Sequence, residues 1–184
     1  MPSMKKIINT ALIGFGFSGE TFFAPFIQAN PGFNLKTIFT TDPTRVAKAK
    51  TLYPGAEIVS DTGSIMNDAS IDLVLVGSPN TSHLSLSKQA LLTGKHVLVE
   101  KPMTTTAEDA WALVDLARER GRILSVGLTY QYASTAARVR DLVATEVGDL
   151  VCVNAEFSSE TEGLFSTVDP LADHLEDAGR AHGT

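Results

Sequence analysis

The sequence predicts an α/β fold built on a doubly wound parallel sheet, and three observations carry that expectation. Six apolar runs suited to buried parallel strands alternate with helix-patterned segments over about two-thirds of the 184-residue chain. The first run leads directly into Gly14-Phe15-Gly16-Phe17-Ser18-Gly19, a glycine turn followed by a helical pattern. The fourth and fifth runs end in short polar segments, Gly77 to His83 and Glu100 to Pro102. Those segments fall on the side where an open sheet of this kind gathers its ligands.

In chain order, strands are expected at 7–13, 33–39, 56–59, 72–76, 96–99 and 123–126, with helices at 18–29, 43–52, 64–68, 82–93 and 106–119. Asp42 before Pro43 reads as an N-cap with proline at the first helical position. Gly94 and Gly121 stand where the last two of these helices should stop. Pro25 lies inside the first helix and predicts a kink or early break, because it offers no N–H and crowds the preceding turn. After Gly127 the alternation gives way to a helix expected at 134–145, a turn at Gly148-Asp149, a strand at 150–157 and then a polar stretch. The chain therefore divides at this stage into a first domain over 1–127 and, over 128–184, the beginning of an incomplete α+β second domain.

Composition narrows the partners. Hydrophobic residues make up 43% and charged residues 20%, as in an ordinary globular protein, and the formal net charge is −6. With Lys and Arg scattered, that balance disfavours nucleic acid and anionic membranes, which need a basic face. No stretch is long and apolar enough to span a bilayer, and the N-terminus lacks a signal-peptide pattern. Cys152 is the single cysteine, which excludes an internal disulfide and fits a cytoplasmic location. Within Leu150-Val151-Cys152-Val153 it reads as a small packed residue.

The glycine turn states its own chemistry. Gly14 permits a tight turn, Gly16 lets backbone approach a pyrophosphate, and Gly19 allows close helix–strand packing. The following helix start adds unpaired N–H groups and the positive end of its dipole, so strand, turn and helix together predict a dinucleotide site. Ser78, Pro79, Asn80 and His83 belong to the same crevice. Asn80 is placed to hydrogen-bond a ribose or carboxamide, or else is a turn residue after proline. His83 either faces the cofactor or packs in the first helical turn, and the sequence leaves both open. Lys101, directly after the fifth strand, is placed to contact a substrate hydroxyl or nicotinamide ribose and to assist proton transfer, or is a solvated strand-end lysine. Glu100 has the form of a partner for a cation that the sequence does not identify. Lys101–Pro102 is a candidate cis peptide.

Taken together, Gly14–Gly19, Pro79-Asn80-Thr81-Ser82-His83 and Glu100-Lys101-Pro102 resemble the Gfo/Idh/MocA oxidoreductase family, with Tyr130-Gln131-Tyr132 and Asn154-Ala155-Glu156-Phe157 resembling the start of its second domain. The resemblance runs from about Met4 to Phe157. It implies a Rossmann sheet and NAD(P)-dependent oxidation or reduction at a hydroxyl-bearing carbon, often of a sugar, polyol or related small molecule. It also implies a catalytic-site role for Lys101, cofactor contacts from Phe15, Phe17 and Ser18 within the glycine turn, and a homo-oligomer in the full-length form.

Two departures from the family pattern matter. NAD-using relatives usually end the second strand in an acidic residue that bonds the ribose hydroxyls. Here Thr40 takes that place, followed by Thr41, while Asp42 is better explained as a cap. With Arg45 near the next helix start, these residues suit a 2′-phosphate, so NADP is favoured over NAD. The family also uses an Asp-x-x-x-His pair in its second domain. Asp169 to His174 and Asp177 to His182 are each one residue too long to share a helix face. A metal site among Asp173, Glu176 and these histidines is set aside in favour of an acidic tail, so no metal is expected. This chain alone is accordingly expected to bind cofactor and turn over poorly, the alternatives being a non-catalytic dinucleotide-binding module or an inactive truncated remnant.

Overall fold

The computed structural model describes residues 6–149 and 152 of the chain. Six strands, β1 (Ile8–Ile13), β2 (Phe33–Phe39), β3 (Glu57–Val59), β4 (Leu73–Val76), β5 (His96–Val99) and β6 (Leu124–Val126), form one sheet in the order β3-β2-β1-β4-β5-β6. Every pairing is parallel. Helices α1 (Ala24–Ala29), α2 (Pro43–Leu52), α3 (Thr62–Asn67), α4 (His83–Leu92) and α5 (Ala107–Glu119) connect them, and α6 (Ser134–Leu142) follows. The chain divides into two compact units, Met1–Ala136 and Ala137–Thr184, and the whole sheet lies in the first.

The period-two alternation of the strands builds two cores. Ala11, Ile13, Val74, Val76, Val97 and Val99 point to one face and pack with Ile65, Met66, Ala90, Leu91, Leu113 and Ala117 of α3, α4 and α5. Leu12, Leu35, Ile38 and Leu75 point to the other and pack with Phe23, Ala24, Ala49 and Tyr53 around α1 and α2. Helices on opposite faces to either side of β1 and β4 make the sheet doubly wound, with strand order reversing between those two strands.

Register aligns the strand ends. Ile13 pairs with Phe39 on one side and Val76 on the other, Val76 with Val99, and Val99 with Val126. The ladder continues one residue further through Gly14 N–H to the Phe39 carbonyl (3.1 Å), Gly77 N–H to Ile13 (2.9 Å), Glu100 N–H to Val76 (2.9 Å) and Gly127 N–H to Val99 (2.8 Å). The residues that leave the sheet at this carboxyl edge therefore leave from one line.

The opposite, amino edge is tied by charge. A shift in the β1–β2 register between Thr10 and Ala11 leaves Lys36 without a ladder partner. Its ammonium reaches the Asp68 carboxylate at 2.6 Å and the Ser70 hydroxyl. Lys6 pairs with Asp72 at 2.5 Å. Lys95 is buried, donating to the Asp68 carbonyl at 2.7 Å, and its burial pulls the amine below the usual lysine range.

Local signals decide where elements start. Asp42 accepts from Arg45 N–H at 2.9 Å and caps α2, with Pro43 at its first position as expected. The expected helix at 18–29 is present as one helical run, in which Gly19–Phe23 is a π-turn that passes directly into α1, with Pro25 in the first α-turn. The backbone stays helical through Phe23 and Ala24, so Pro25 does not break the helix; it lies just after the widened π-turn. Helix α3 starts earlier than expected because Asp61, unread as a cap, accepts from Ser64 N–H at 3.1 Å. The segment expected to open a helix at 82 begins with a 3-10 turn, Asn80–Ser82, before α4. Helix α6 ends at Leu142 and passes into a π-turn, Val143–Val147, where a helix to 145 was expected. Cys152, expected to be packed, is exposed; Val151 and Val153 beside it lie outside the described residues. So do the expected strand at 150–157, Cys152 apart, and the residues from Asp169 to His182.

Candidate cofactor and catalytic site

The glycine turn sits where the strand order reverses, and the backbone leaves it no choice of residue. Gly14 has φ +98°, and a Cβ there would stand 2.6 Å from the Gly77 carbonyl oxygen and 2.8 Å from Ser78 N. The turn after β1 thus lies directly on the turn after β4. A Cβ on Gly19 would collide with the Gly14 carbonyl oxygen, so the helical segment closes tightly on the turn it follows. Gly16 is the open position, and the Arg45 guanidinium stands 3.7 Å from where its Cβ would be. Arg45 is therefore brought from α2 across the turn, and among the described residues it pairs with no carboxylate.

The other residues of the turn divide sharply. Phe15 is buried edge-on against Tyr53, with centroids 5.9 Å apart, so its side chain belongs to the core and only its backbone is available to a ligand. Phe17 is 54% exposed and stands edge-on to Phe22 at 5.5 Å. Ser18 is half-buried and makes no capping bond. Of the two threonines after β2, Thr40 is buried, its N–H bonded to the Val59 carbonyl at 3.2 Å, and Thr41 is exposed.

After β4, the Ser78 and Ser82 hydroxyls meet at 2.7 Å, and Ser82 also donates to the Pro79 carbonyl at 2.7 Å. Pro79 is exposed and Asn80, half-buried, opens the short turn. The structure decides between the two readings of His83. The ring is 0% exposed, with Nδ1 2.7 Å from the Pro102 carbonyl oxygen and Nε2 2.8 Å from that of Ser78. It packs, and both nitrogens are committed to backbone, so the reading in which it faces a cofactor is corrected.

After β5, Glu100 meets no separate cation among the described residues: its carboxylate accepts from the N–H of Lys101 at 2.9 Å and lies beside Gly127. The Lys101 side chain is exposed, and among the described residues its amine has no partner. The Lys101–Pro102 bond is cis, as the sequence suggested.

Sequence reasoning missed Gly77, whose missing side chain admits the Phe23 ring, 3.1 Å from where a Cβ would stand. Its place directly after a strand and opposite the glycine turn was the available signal. It also missed an apolar groove lined by Phe22, Phe26, Leu98, Val126, Leu128 and Tyr132, which arises only when α1 meets the ends of β5 and β6. Among the described residues no cluster of His, Cys, Asp or Glu is arranged to hold a metal ion. No helix there is long and apolar enough to cross a membrane.

A glycine turn at the reversal point of a doubly wound sheet, with a lysine two strand positions along the same edge, defines a dinucleotide-binding α/β domain. Residues 8–128 match the sequence model of an oxidoreductase family with an NAD-binding Rossmann fold. The chain belongs to that family, Gfo/Idh/MocA. It is 37% identical over 155 residues to the uncharacterised oxidoreductase YdgJ of Escherichia coli K12, a match covering 84% of this chain and 44% of YdgJ. It is 32% identical over 137 residues to the scyllo-inositol 2-dehydrogenase (NADP(+)) IolW of Bacillus subtilis, covering 74% of this chain and 37% of IolW. Among solved structures it is similar to KijD10, a 3-ketoreductase from Actinomadura kijaniata crystallised with NADP and TDP-benzene. That similarity has a TM-score of 0.69 and 28% identity, covering 73% of this chain and 41% of KijD10. The chain thus spans less than half the length of these relatives.

Proposed function

We propose that the protein is an NAD(P)-dependent oxidoreductase that moves a hydride between a nicotinamide cofactor and a hydroxyl-bearing carbon of a sugar, polyol or related small molecule. The observation that carries this reading is the meeting of the Gly14 turn with the Gly77–Ser78 turn, with Lys101 leaving the same edge one strand further on. The cradle fits the cofactor: backbone occupies the space that side chains at Gly14 and Gly19 would need, and the side chain that stands beside open Gly16 among the described residues is a cation.

The backbone of Gly14 to Gly19 would hold the pyrophosphate, and Arg45 with exposed Thr41 would receive the adenosine ribose and its 2′-phosphate. Buried Thr40 contributes chiefly by shaping that strand end. The lack of an acidic residue at Thr40 and the cation over Gly16 favour NADP over NAD. IolW bears NADP(+) in its name and KijD10 was crystallised with NADP, while the similar GenD2 was crystallised with NAD, so the relatives support a nicotinamide cofactor and the preference rests on Thr40 and Arg45. Ser78, Pro79 and Asn80 would border the nicotinamide half. The bound cofactor supplies hydride chemistry. The chain's own part is proton handling and placement: the Lys101 amine would hold the substrate hydroxyl oxygen and move its proton, while Glu100 fixes the lysine backbone and Phe17 with Phe22 shields the crevice from water. A base from an Asp-x-x-x-His pair has no counterpart in this sequence, so turnover by this chain alone is expected to be weak.

Calorimetric titration with NADP and NAD in both redox states tests the reading. Binding with NADP preferred is the expected result, and no binding of any of the four sinks it. Lys101→Ala separates catalysis from mere binding: an enzyme loses rate with cofactor affinity nearly unchanged, whereas a binding module loses nothing.

A further inference from the structure

His83 lies outside the reaction proposed above, yet its ring joins the two turns between which that reaction would run. It opens α4, is fully buried, and reaches the Ser78 carbonyl with Nε2 at 2.8 Å and the Pro102 carbonyl with Nδ1 at 2.7 Å. A neutral imidazole donates through one nitrogen and a protonated one through both. In either form no nitrogen is left to offer a ligand, so the ring works on backbone. Packing alone would be served by a leucine or phenylalanine of similar volume. Two carbonyls at hydrogen-bond distance on opposite sides of the ring specify histidine.

We propose that His83 is the positioning residue for Lys101. The Lys101 amine has no partner among the described residues, so where its side chain reaches depends on how firmly its backbone is held. On the amino side the hold is the Glu100 carboxylate on the Lys101 N–H at 2.9 Å. On the carboxyl side it is His83 on the carbonyl of Pro102, the next residue. A protonated ring donates to the Ser78 carbonyl as well and so ties the turn after β5 to the turn after β4, whereas a neutral ring donates to one of the two carbonyls. The proposal rests on reading Lys101 as the proton-handling group, but its anchorage can be measured without any turnover.

The experiment is amide hydrogen exchange by NMR on the 184-residue chain, its His83→Ala and His83→Gln variants, and the parent with NADPH. In His83→Ala the Lys101 amide should exchange about tenfold faster, while the strand amides of Val76 and Val99 keep their parental rates. In His83→Gln, whose side-chain amide can still donate to one carbonyl, the Lys101 rate should fall between the two. An equal rise at Val76 and Val99 overturns the proposal, because the ring then merely supports the fold. An unchanged Lys101 rate, or no recovery in His83→Gln, overturns it as well. Failure of the parent to bind NADPH sinks the functional reading instead and leaves the exchange comparison standing.

Discussion

Arg45 brings a positive charge to the open position of the glycine turn, and the Asp42 carboxylate beside it is engaged as a cap. Replacing Arg45 by alanine should weaken NADP binding by about tenfold or more, the worth of one charge-assisted contact to phosphate, and leave NAD binding nearly as it was. Paired calorimetric titrations read this directly. An equal loss for both cofactors would place the guanidinium on the pyrophosphate they share. The comparison of His83 with Lys101 makes a related point at the same scale. Both are polar residues just past a strand end, yet one is sealed into the structure and the other left to solvent.

Helix α2 matters here because it delivers Arg45, and its start is set by a single cap. Asp42→Ala should cost about 1 kcal/mol in chemical denaturation, since it frees the Arg45 N–H at the helix start. The same variant should erode NADP affinity through Arg45 without altering NAD affinity. This cap was legible in the sequence because Asp-Pro carries two physical signals at once. The strands were legible too, since buried parallel strands need long apolar runs and no other element of the chain supplied them. Short-range cues failed where tertiary contact decides. The cap at Asp61 was overlooked in a segment with little periodicity, and the Phe23 ring at the end of the π-turn packs on Gly77, a contact that no local pattern announces. The commitment of His83 to two carbonyls depends on a turn 19 residues away, which no local pattern reveals. Of the candidate site, the residue types and the shared edge could be read beforehand; the partners of Glu100 and His83 could not.

At the scale of the whole sheet, stability and chemistry occupy opposite edges. Hydrogen bonds from Lys36, then from Ser70, hold the Asp68 carboxyl well below its usual range, and a hydrogen bond from Lys6 lowers that of Asp72. A carboxylate whose folded value is depressed contributes stability that is fully present above its unfolded value, near 3.9, and is lost as pH falls through the folded value. Asp68→Asn should therefore lower stability by about 1 kcal/mol at neutral pH, with the gap to the parent closing below about pH 4. Urea midpoints measured at pH 7 and then stepwise below about pH 4, where the gap should shrink progressively, check it. The four residues of β4 separate those ion pairs from the turn that carries Ser78. At about 3.3 Å per residue this is roughly 13 Å, beyond the 7–10 Å or so within which substitutions usually couple. The molecule is thus modular for an engineer or for natural selection: the cofactor edge can be rewritten, threonine by threonine, without disturbing the ion pairs at the far edge, and gains made at one edge should add to those made at the other.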